Sequence, residues 1–412
     1  VPERRRALDV AGLLLAGGSM AAGPARAEQP AVQVAATAVV AVSHVSPIPG
    51  GGSRAELRAE QPVLMVRAGA LAERLGLDFT LNFEGLSIPN GVLGLGVWGE
   101  GYVDRRHPHT YLHEAMVSLT EQVNDRVAVG VAAGKGFVPF GTDDPMNRPA
   151  LRFPVNHHLS QILERAVVLT GGRAGPVAVE GAAFNGDEPE RPGQWPNVPE
   201  RFADSWAARV TAWPVAGVEA QVSHASVASP EHRGGAGPRQ EKWSASVRFE
   251  GPARASRVYG LLEWARTEDA DGFFVFTTVL GETQVAWAGQ RLYARWERTS
   301  RPEELRTPDP FRSVRPHLDD AILGKSRWSV YTAGYAVAIR PLRWLTMEPI
   351  AEVALARAAD LGGVFRVEDL YGRRTFASLT AGVRVRHGTA HRMGRYGVLR
   401  DTRKPQSPGH GH

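Results

Sequence analysis

The densest group of ligating and titratable side chains is the run Asp104-Arg105-Arg106-His107-Pro108-His109-Thr110-Tyr111-Leu112-His113-Glu114, with three histidines and two carboxylates in eleven residues. Neutral imidazole and carboxylate oxygen are ordinary ligands for Zn, Cu or Ni. On an extended backbone His107 and His109 share one side, and Pro108 fixes the φ angle between them. His109 and His113 would share a face only on a helix. A second pair, His157-His158, follows Arg152-Phe153-Pro154 further along. The candidate ligands for a Cu or Zn ion are therefore His107, His109, His113, Glu114, His157 and His158. Their spacing matches no established metal motif. The competing reading is a structural polar knot in which Asp104, Arg105 and Arg106 hydrogen-bond a loop into place.

Two other stretches concentrate charge. Gly134-Lys135-Gly136-Phe137-Val138-Pro139-Phe140-Gly141-Thr142-Asp143-Asp144-Pro145 reads as a long, turn-rich, ordered connection, and loops of that size are often functional. Lys135 opposite Asp143 and Asp144 would set a field across any passage the loop entered. The Gly-Lys pair lacks the rest of a phosphate-binding loop. The second stretch is Arg295, Glu297, Arg298, Arg301, Glu303, Glu304 and Arg306. It reads either as a ladder of charge along a wall or as a loop base held by ion pairs worth about 0–1 kcal/mol each. For acyl-transfer chemistry, Ser160 lies near His157 and His158, and Ser205 near Asp204, but neither has a nucleophile elbow or a defined partner. No enzyme is expected from these residues.

The elements that must carry these side chains show a period of two. In Leu77-Asp78-Phe79-Thr80-Leu81-Asn82-Phe83-Glu84 every odd position is large and apolar and every even one polar. Successive side chains of a strand face opposite ways, so one face suits lipid and the other water. Lys242 to Glu250 and Arg291 to Glu297 repeat the pattern, the latter with three charges on one face. Charges facing inward from many strands fit a wet lumen better than a soluble sandwich. The candidate lumen and constriction residues are Asp78, Asn82, Glu84, Lys135, Asp143, Asp144, Lys242, Arg248, Arg291, Arg295 and Glu297. Trp206, Trp213, Trp243, Trp264, Trp296, Trp328 and Trp344 fall on or near the ends of strands, as interfacial aromatic girdles do.

Connections alternate in length: short near 71–76, 121–125, 171–176, 214–217, 251–255, 287–290 and 340–343, long near 43–61, 134–160, 185–203, 229–240, 300–324 and 358–373. Transmembrane barrels have short turns at one end and long loops at the other. The Gly-rich segment 91–103 resembles another strand, but the rhythm stays in phase only if residues 85–112 form one connection. The expected fold is an all-β, closed antiparallel transmembrane barrel of about 16 strands, with 14 or 18 as alternatives.

Three arginines, a short apolar stretch and Ala25-Arg26-Ala27 give residues 1–27 the pattern of a cleavable signal peptide. The barrel is expected over 28–387, followed by a basic, His-containing tail at 388–412. The chain has no cysteine, so no disulfide supports it. The formal net charge of +5 comes largely from the two ends, and no basic patch interleaved with aromatics points to nucleic acid.

Several segments resemble an uncharacterised family of bacterial outer-membrane, porin-like barrels with an Asp-Arg-x-His-Pro-His motif. They are the run from Asp104 to Thr110 with Gly99-Glu100-Gly101-Tyr102 before it, FGTDDPMNRP at 140–149, PVNHHLSQILER at 154–165, FNGDEPE at 184–190 and HRMGRYGV at 391–398. The resemblance implies residence in the bacterial outer membrane, contact with its lipid, and a loose association with metal handling. A barrel of this size cannot fill its interior with side chains from the wall alone. The expected function is therefore passive diffusion of small polar solutes or ions, without a cofactor; homo-oligomers are common among such barrels. The alternatives are a Cu- or Zn-handling barrel using the His107-Pro108-His109 loop and, third, a lumen hydrolase.

Overall fold

The alternating segments form one closed wall. The computed structural model describes residues 31–48, 50–71, 74–87, 109–155, 157–189, 192–230, 232–304, 322–388 and 397–399. The strands are β1 Ala31–Ser46, β2 Arg54–Ala70, β3 Leu75–Asn82, β4 Leu112–Asn124, β5 Val127–Gly136, β6 Arg165–Ala174, β7 Val177–Phe184 and β8 Ser205–Ala212. The second half holds β9 Val218–Ala228, β10 Arg239–Ala253, β11 Ser256–Asp269, β12 Phe274–Trp287, β13 Gln290–Glu304, β14 Ile322–Val337, β15 Leu345–Asp360 and β16 Thr375–His387. Strand β14 resumes after Ala338 as Ile339–Leu342, and both pieces pair with β15. Every neighbour runs antiparallel, and β16 pairs with β1 from Ala36↔His387 to Ser46↔Ala377, which closes a barrel of 16 strands. Closure pairs each strand with a neighbour on both sides and so removes the open edges a flat sheet would leave.

Burial follows the period of two. On β3, Leu77 and Phe79 face outward while Thr80 and Asn82 are buried inside. On β15, Val353 and Leu355 face outward, and Glu348, Glu352 and Ala354 face in. On β10 the outward set includes Val247 and Phe249, and the inward set Lys242, Ser244, Ser246 and Arg248. The outside is thus an apolar band suited to hydrocarbon, and the inside is polar and charged. The tryptophans divide. Trp206, Trp264, Trp296 and Trp344 face outward, Trp213 is buried, and Trp328 is 0% exposed. The last packs inside against Tyr371 and Phe376 beneath a short helix, Val367–Tyr371.

One end of the barrel carries turns of two to five residues and both wall termini; the other carries most of the long connections. Strands β3 and β4 are direct hydrogen-bonded neighbours, so 83–111 is a single connection; the segment 91–103 itself lies outside the described residues. Two connections differ from the sequence reading. The loop expected over 43–61 shrinks to 47–53, because β1 and β2 extend through their polar ends. The β11–β12 turn, 270–273, is short although it lies at the long-loop end.

Candidate functional site

The 137–164 connection folds into the barrel and crosses it. Val138 and Phe140 pack with Val167, Phe184, Ala207 and Val227 on the near wall. Gly141 N donates to Ser223 Oγ at 2.9 Å and Thr142 Oγ1 to Ser246 Oγ at 2.7 Å, which tie the loop to β9 and β10. Gly141 has φ +79°, and a Cβ there would lie 1.8 Å from Ser160 O, so the loop's neck requires glycine. Asp144 caps a short 3-10 turn by accepting from Met146 N at 2.8 Å. Ala150 and Leu151 reach Val39, Ala41, Tyr293, Ala336 and Ile350 on the opposite wall. There Leu151 N and Arg152 N donate to the two oxygens of Glu352 at 2.8 and 3.1 Å. The Arg152 guanidinium meets Glu297, whose other oxygen accepts from Val155 N at 2.8 Å. Contacts on both β9 and β1, eight strands apart in the closed wall, make this loop a bar across the lumen.

The bar and the wall are matched in charge. Asp143 accepts from Arg248 Nη1 at 2.9 Å and Arg148 Nε at 3.1 Å, while Arg148 Nη2 reaches Glu263 at 2.8 Å. Arg295 bonds Glu282 at 2.6 Å and donates to the Arg152 carbonyl. Buried pairs of this kind fix position even where desolvation cancels much of their attraction. Nearer the short-turn end the balance tips. Arg386, Arg291 and Arg384 surround Glu348 at 3.2, 3.4 and 3.8 Å, three cations about one carboxylate. Asp78 pairs with Arg67 at 3.3 Å.

The chain re-enters the lumen after β16. Val398 N and Leu399 N donate to Glu180 Oε1 at 2.7 and 3.0 Å, and Glu180 also holds Arg209 at 2.6 Å. Leu399 is buried among Ala128, Ala178 and Trp213, beside the short turns. Three residues of the expected tail therefore fill part of the lumen mouth.

A separate cluster stands where the bar returns to the wall. His113 is the extra residue of a β-bulge: Thr80 opposes Glu114 and Leu81 opposes Leu112. Bulges redirect a side chain, and here His113 turns inward. Glu164, in a left-handed conformation at φ 58°, ends the bar just before β6. Glu164 Oε1 faces His109 Nδ1 at 3.0 Å and also meets His113 Nδ1. Its Oε2 accepts from Thr110 Oγ1 at 2.9 Å and Thr110 N at 3.1 Å. The Lys135 ammonium contacts Thr110 Oγ1 and lies 3.9 Å from Oε2. His109 Nε2 is 3.7 Å from Glu84, which lies in the short helix α1, Glu84–Ser87. Burial opposes charge on the His109 imidazole, but the hydrogen bond from Glu164 and the charges of Glu84, Glu164 and Asp144 outweigh it and lift the pKa to about 10. Burial likewise opposes charge on Glu164, yet the His113 charge and the hydrogen bonds from both histidines hold it well below the carboxylate range.

Of the residues singled out from sequence, Asp143, Arg248, Arg295 and Glu297 meet in the network between bar and wall. Lys242 is buried on the inner face of the same wall. Asn82 accepts from Glu84 N at 2.8 Å beside the histidine cluster. Lys135 faces Thr110, the Leu112 carbonyl and Glu164, whereas Asp143 faces arginines. Among the candidate ligands, His109 and His113 come together, while Glu114 accepts from Thr80 Oγ1 at 3.0 Å. His157 packs edge-on against Phe153 with ring centroids 5.1 Å apart. His107 and the His158 side chain lie outside the described residues. The third member of the cluster, Glu164, was not visible in the sequence, because it is one carboxylate 51 residues beyond His113 with no spacing that links the two.

No protein-family profile and no curated protein matches the sequence. Solved structures do match in fold. An anion-selective porin from Comamonas acidovorans aligns with a TM-score of 0.51 and 11% identity, over 88% of this chain and 100% of that one. A loop-deletion mutant of OmpT, an outer membrane protein of Vibrio cholerae, aligns with a TM-score of 0.51 and 9% identity, over 87% of this chain and 100% of that one. The chain is a closed antiparallel barrel of 16 strands with the fold of bacterial outer-membrane porins.

Proposed function

We propose that this protein is an outer-membrane channel that passes small polar solutes or ions by passive diffusion through a lumen narrowed by the 137–164 bar. The observation that carries this reading is the bar itself: a segment anchored on opposite walls by Ser223, Ser246, Glu297 and Glu352, inside a wall that is apolar outside and charged inside. Such a wall requires lipid around it and water within it. The fixed charges of bar and wall act by position, with no bond made or broken. The protein's likeness in fold to an anion-selective porin supports the same reading, and the arginines about Glu348 are consistent with a preference for anions. Assembly into a homo-oligomer is part of the proposal and is tested by cross-linking in membranes. The decisive experiment is conductance of the refolded barrel in a planar bilayer. Discrete, ohmic steps that persist in His107→Ala and His109→Ala are expected. A folded, inserted and electrically silent protein would overturn the reading.

A further inference from the structure

The cluster at the root of the bar has a chemistry that diffusion through the lumen does not use. His109 Nδ1, His113 Nδ1 and Glu164 Oε1 converge, with all ligand atoms within 4.8 Å of one another. The two imidazoles meet edge to face, their centroids 5.0 Å apart and planes at 89°, and each places Nδ1 toward Glu164 Oε1. We propose that His109, His113 and Glu164 form a binding site for a divalent first-row transition ion of the zinc class.

Three features beyond proximity support the assignment. The ligand set, two imidazoles and one carboxylate, is one that Zn²⁺ accepts with a fourth position left open. Ligand atoms in a tetrahedral zinc site lie about 3.3 Å apart, given Zn–N distances of about 2.0–2.1 Å. Both Nδ1 atoms sit closer than this to Glu164 Oε1, His109 at 3.0 Å, as hydrogen-bond partners, so an ion would displace the Nδ1 protons and spread the three atoms toward that edge. The surroundings also match what orients metal ligands elsewhere. Thr110 orients the Glu164 carboxylate, its hydroxyl on Oε2 and its amide spanning both oxygens. Glu84 stands 3.7 Å from His109 Nε2, a nearby negative charge that favours the proton on Nε2 and leaves Nδ1 as the ligand atom. Finally, His113 is 1% exposed and its Nε2 has no hydrogen-bond partner among the described residues. Its hydrogen bonding among the described residues is therefore confined to Nδ1, the atom that faces Glu164 Oε1. The Lys135 ammonium does not occupy the position, since it faces the other oxygen of Glu164.

The three ligands come from three places: the 83–111 connection, the bulge in β4 and the last residue of the bar. A bound ion would therefore clamp the root of the bar to the wall beside it. The site differs from a pairing of His107 with His109, because it requires His113 and Glu164.

Co²⁺ serves as the probe, titrated into the full-length refolded barrel in detergent, because tetrahedral Co²⁺ gives intense visible d–d bands. We expect saturation of those bands at one equivalent, their displacement by Zn²⁺, and their loss in His113→Ala and Glu164→Gln but not in His157→Ala. His109→Gln, at a less buried position, provides a second variant, with heat-modifiable migration in gels as the check on folding. The histidines near the C-terminus are present in every variant, so weak binding there cannot mimic the loss. The proposal fails if no one-equivalent tetrahedral signal appears in the folded wild type. It also fails if folded His109→Gln or Glu164→Gln retains the full signal. Neither outcome depends on conductance, so this inference and the channel reading fail separately.

Discussion

Arg152→Ala should loosen the bar at its far end. Arg152 is 0% exposed and meets Glu297, also 0% exposed; Thr332 Oγ1 accepts from the same Nη2 at 3.0 Å. Removing one member of a buried pair strands the other charge and costs about 3–5 kcal/mol. Val155 N still donates to Glu297 at 2.8 Å, which keeps the expected cost at the lower end, about 3 kcal/mol. Since about 1.4 kcal/mol is a factor of ten, the docked-to-undocked ratio of residues 150–155 should fall roughly a hundredfold. The wall does not depend on this contact, so barrel formation should survive while the bar fluctuates. Single-channel recording should show larger mean conductance and more open-channel noise, and urea unfolding from vesicles should report the lost stability. Arg152→Ala/Glu297→Ala removes the stranded carboxylate as well. Its loss should be smaller than the sum of the single losses by about 2 kcal/mol, the size of coupling expected for residues in one network. If Arg152→Ala leaves conductance and noise unchanged and costs under about 1 kcal/mol, the typical surface-pair value, the bar is not held as described. Strict additivity in the double variant would refute the stranded-charge reasoning specifically.

The outer face, the lumen mouth and the arginine cluster give three further tests. Leu262 on β11 is 58% exposed and faces outward, so Leu262→Arg should cost about 2–4 kcal/mol in urea titrations of the vesicle-folded barrel; a neutral result would mean that this face does not meet lipid. Leu399→Asp places a carboxylate beside Glu180 and gives up a buried side chain worth about 1.5–3 kcal/mol. Release of the re-entrant segment should raise conductance, and an unchanged conductance would rule out its role in the mouth. Glu348→Gln leaves Arg291, Arg384 and Arg386 without their shared carboxylate. A unit charge at about 4 Å is worth about 4 kcal/mol at an effective dielectric of 20, so anion-over-cation permeability, read from reversal potentials, should rise at least about twofold; a shift toward cations would contradict the placement of these side chains in the conduction path.

The wall was legible in the sequence because lipid and water impose a period of two on every strand. Leu77 and Phe79, or Leu292 and Trp296, cannot exchange faces with their neighbours without placing charge in hydrocarbon. The same reasoning misread Trp328. A large aromatic near a strand end looks like an interfacial anchor, but its indole N–H finds Glu303 at 2.9 Å inside the barrel and its ring stacks on Phe376. Loop length was less legible than strand phase. Residues Arg54 to Glu60 read as connection because charge recurs through them, yet β2 begins at Arg54 and pairs with β1 there.

The candidate site was half legible, and the missing half has a physical cause. Alternation puts His113 and Glu114 on opposite faces and cannot say which of them turns inward at the end of β4. A one-residue bulge turns both inward, Glu114 opposite the inward-facing Thr80 and His113 against a residue 51 positions away. That residue, Glu164, reaches the cluster only through a left-handed backbone, a conformation that costs a non-glycine residue about 1–3 kcal/mol. Two departures from regular strand geometry thus converge on one pair of side chains. Chains tend to break local rules where something other than folding requires it. A loop held only for packing could use a glycine at position 164 and an unbulged β4. The left-handed turn at Glu164 and the bulge at His113 are thus what bring the ligand atoms of the proposed site together at this root of the bar.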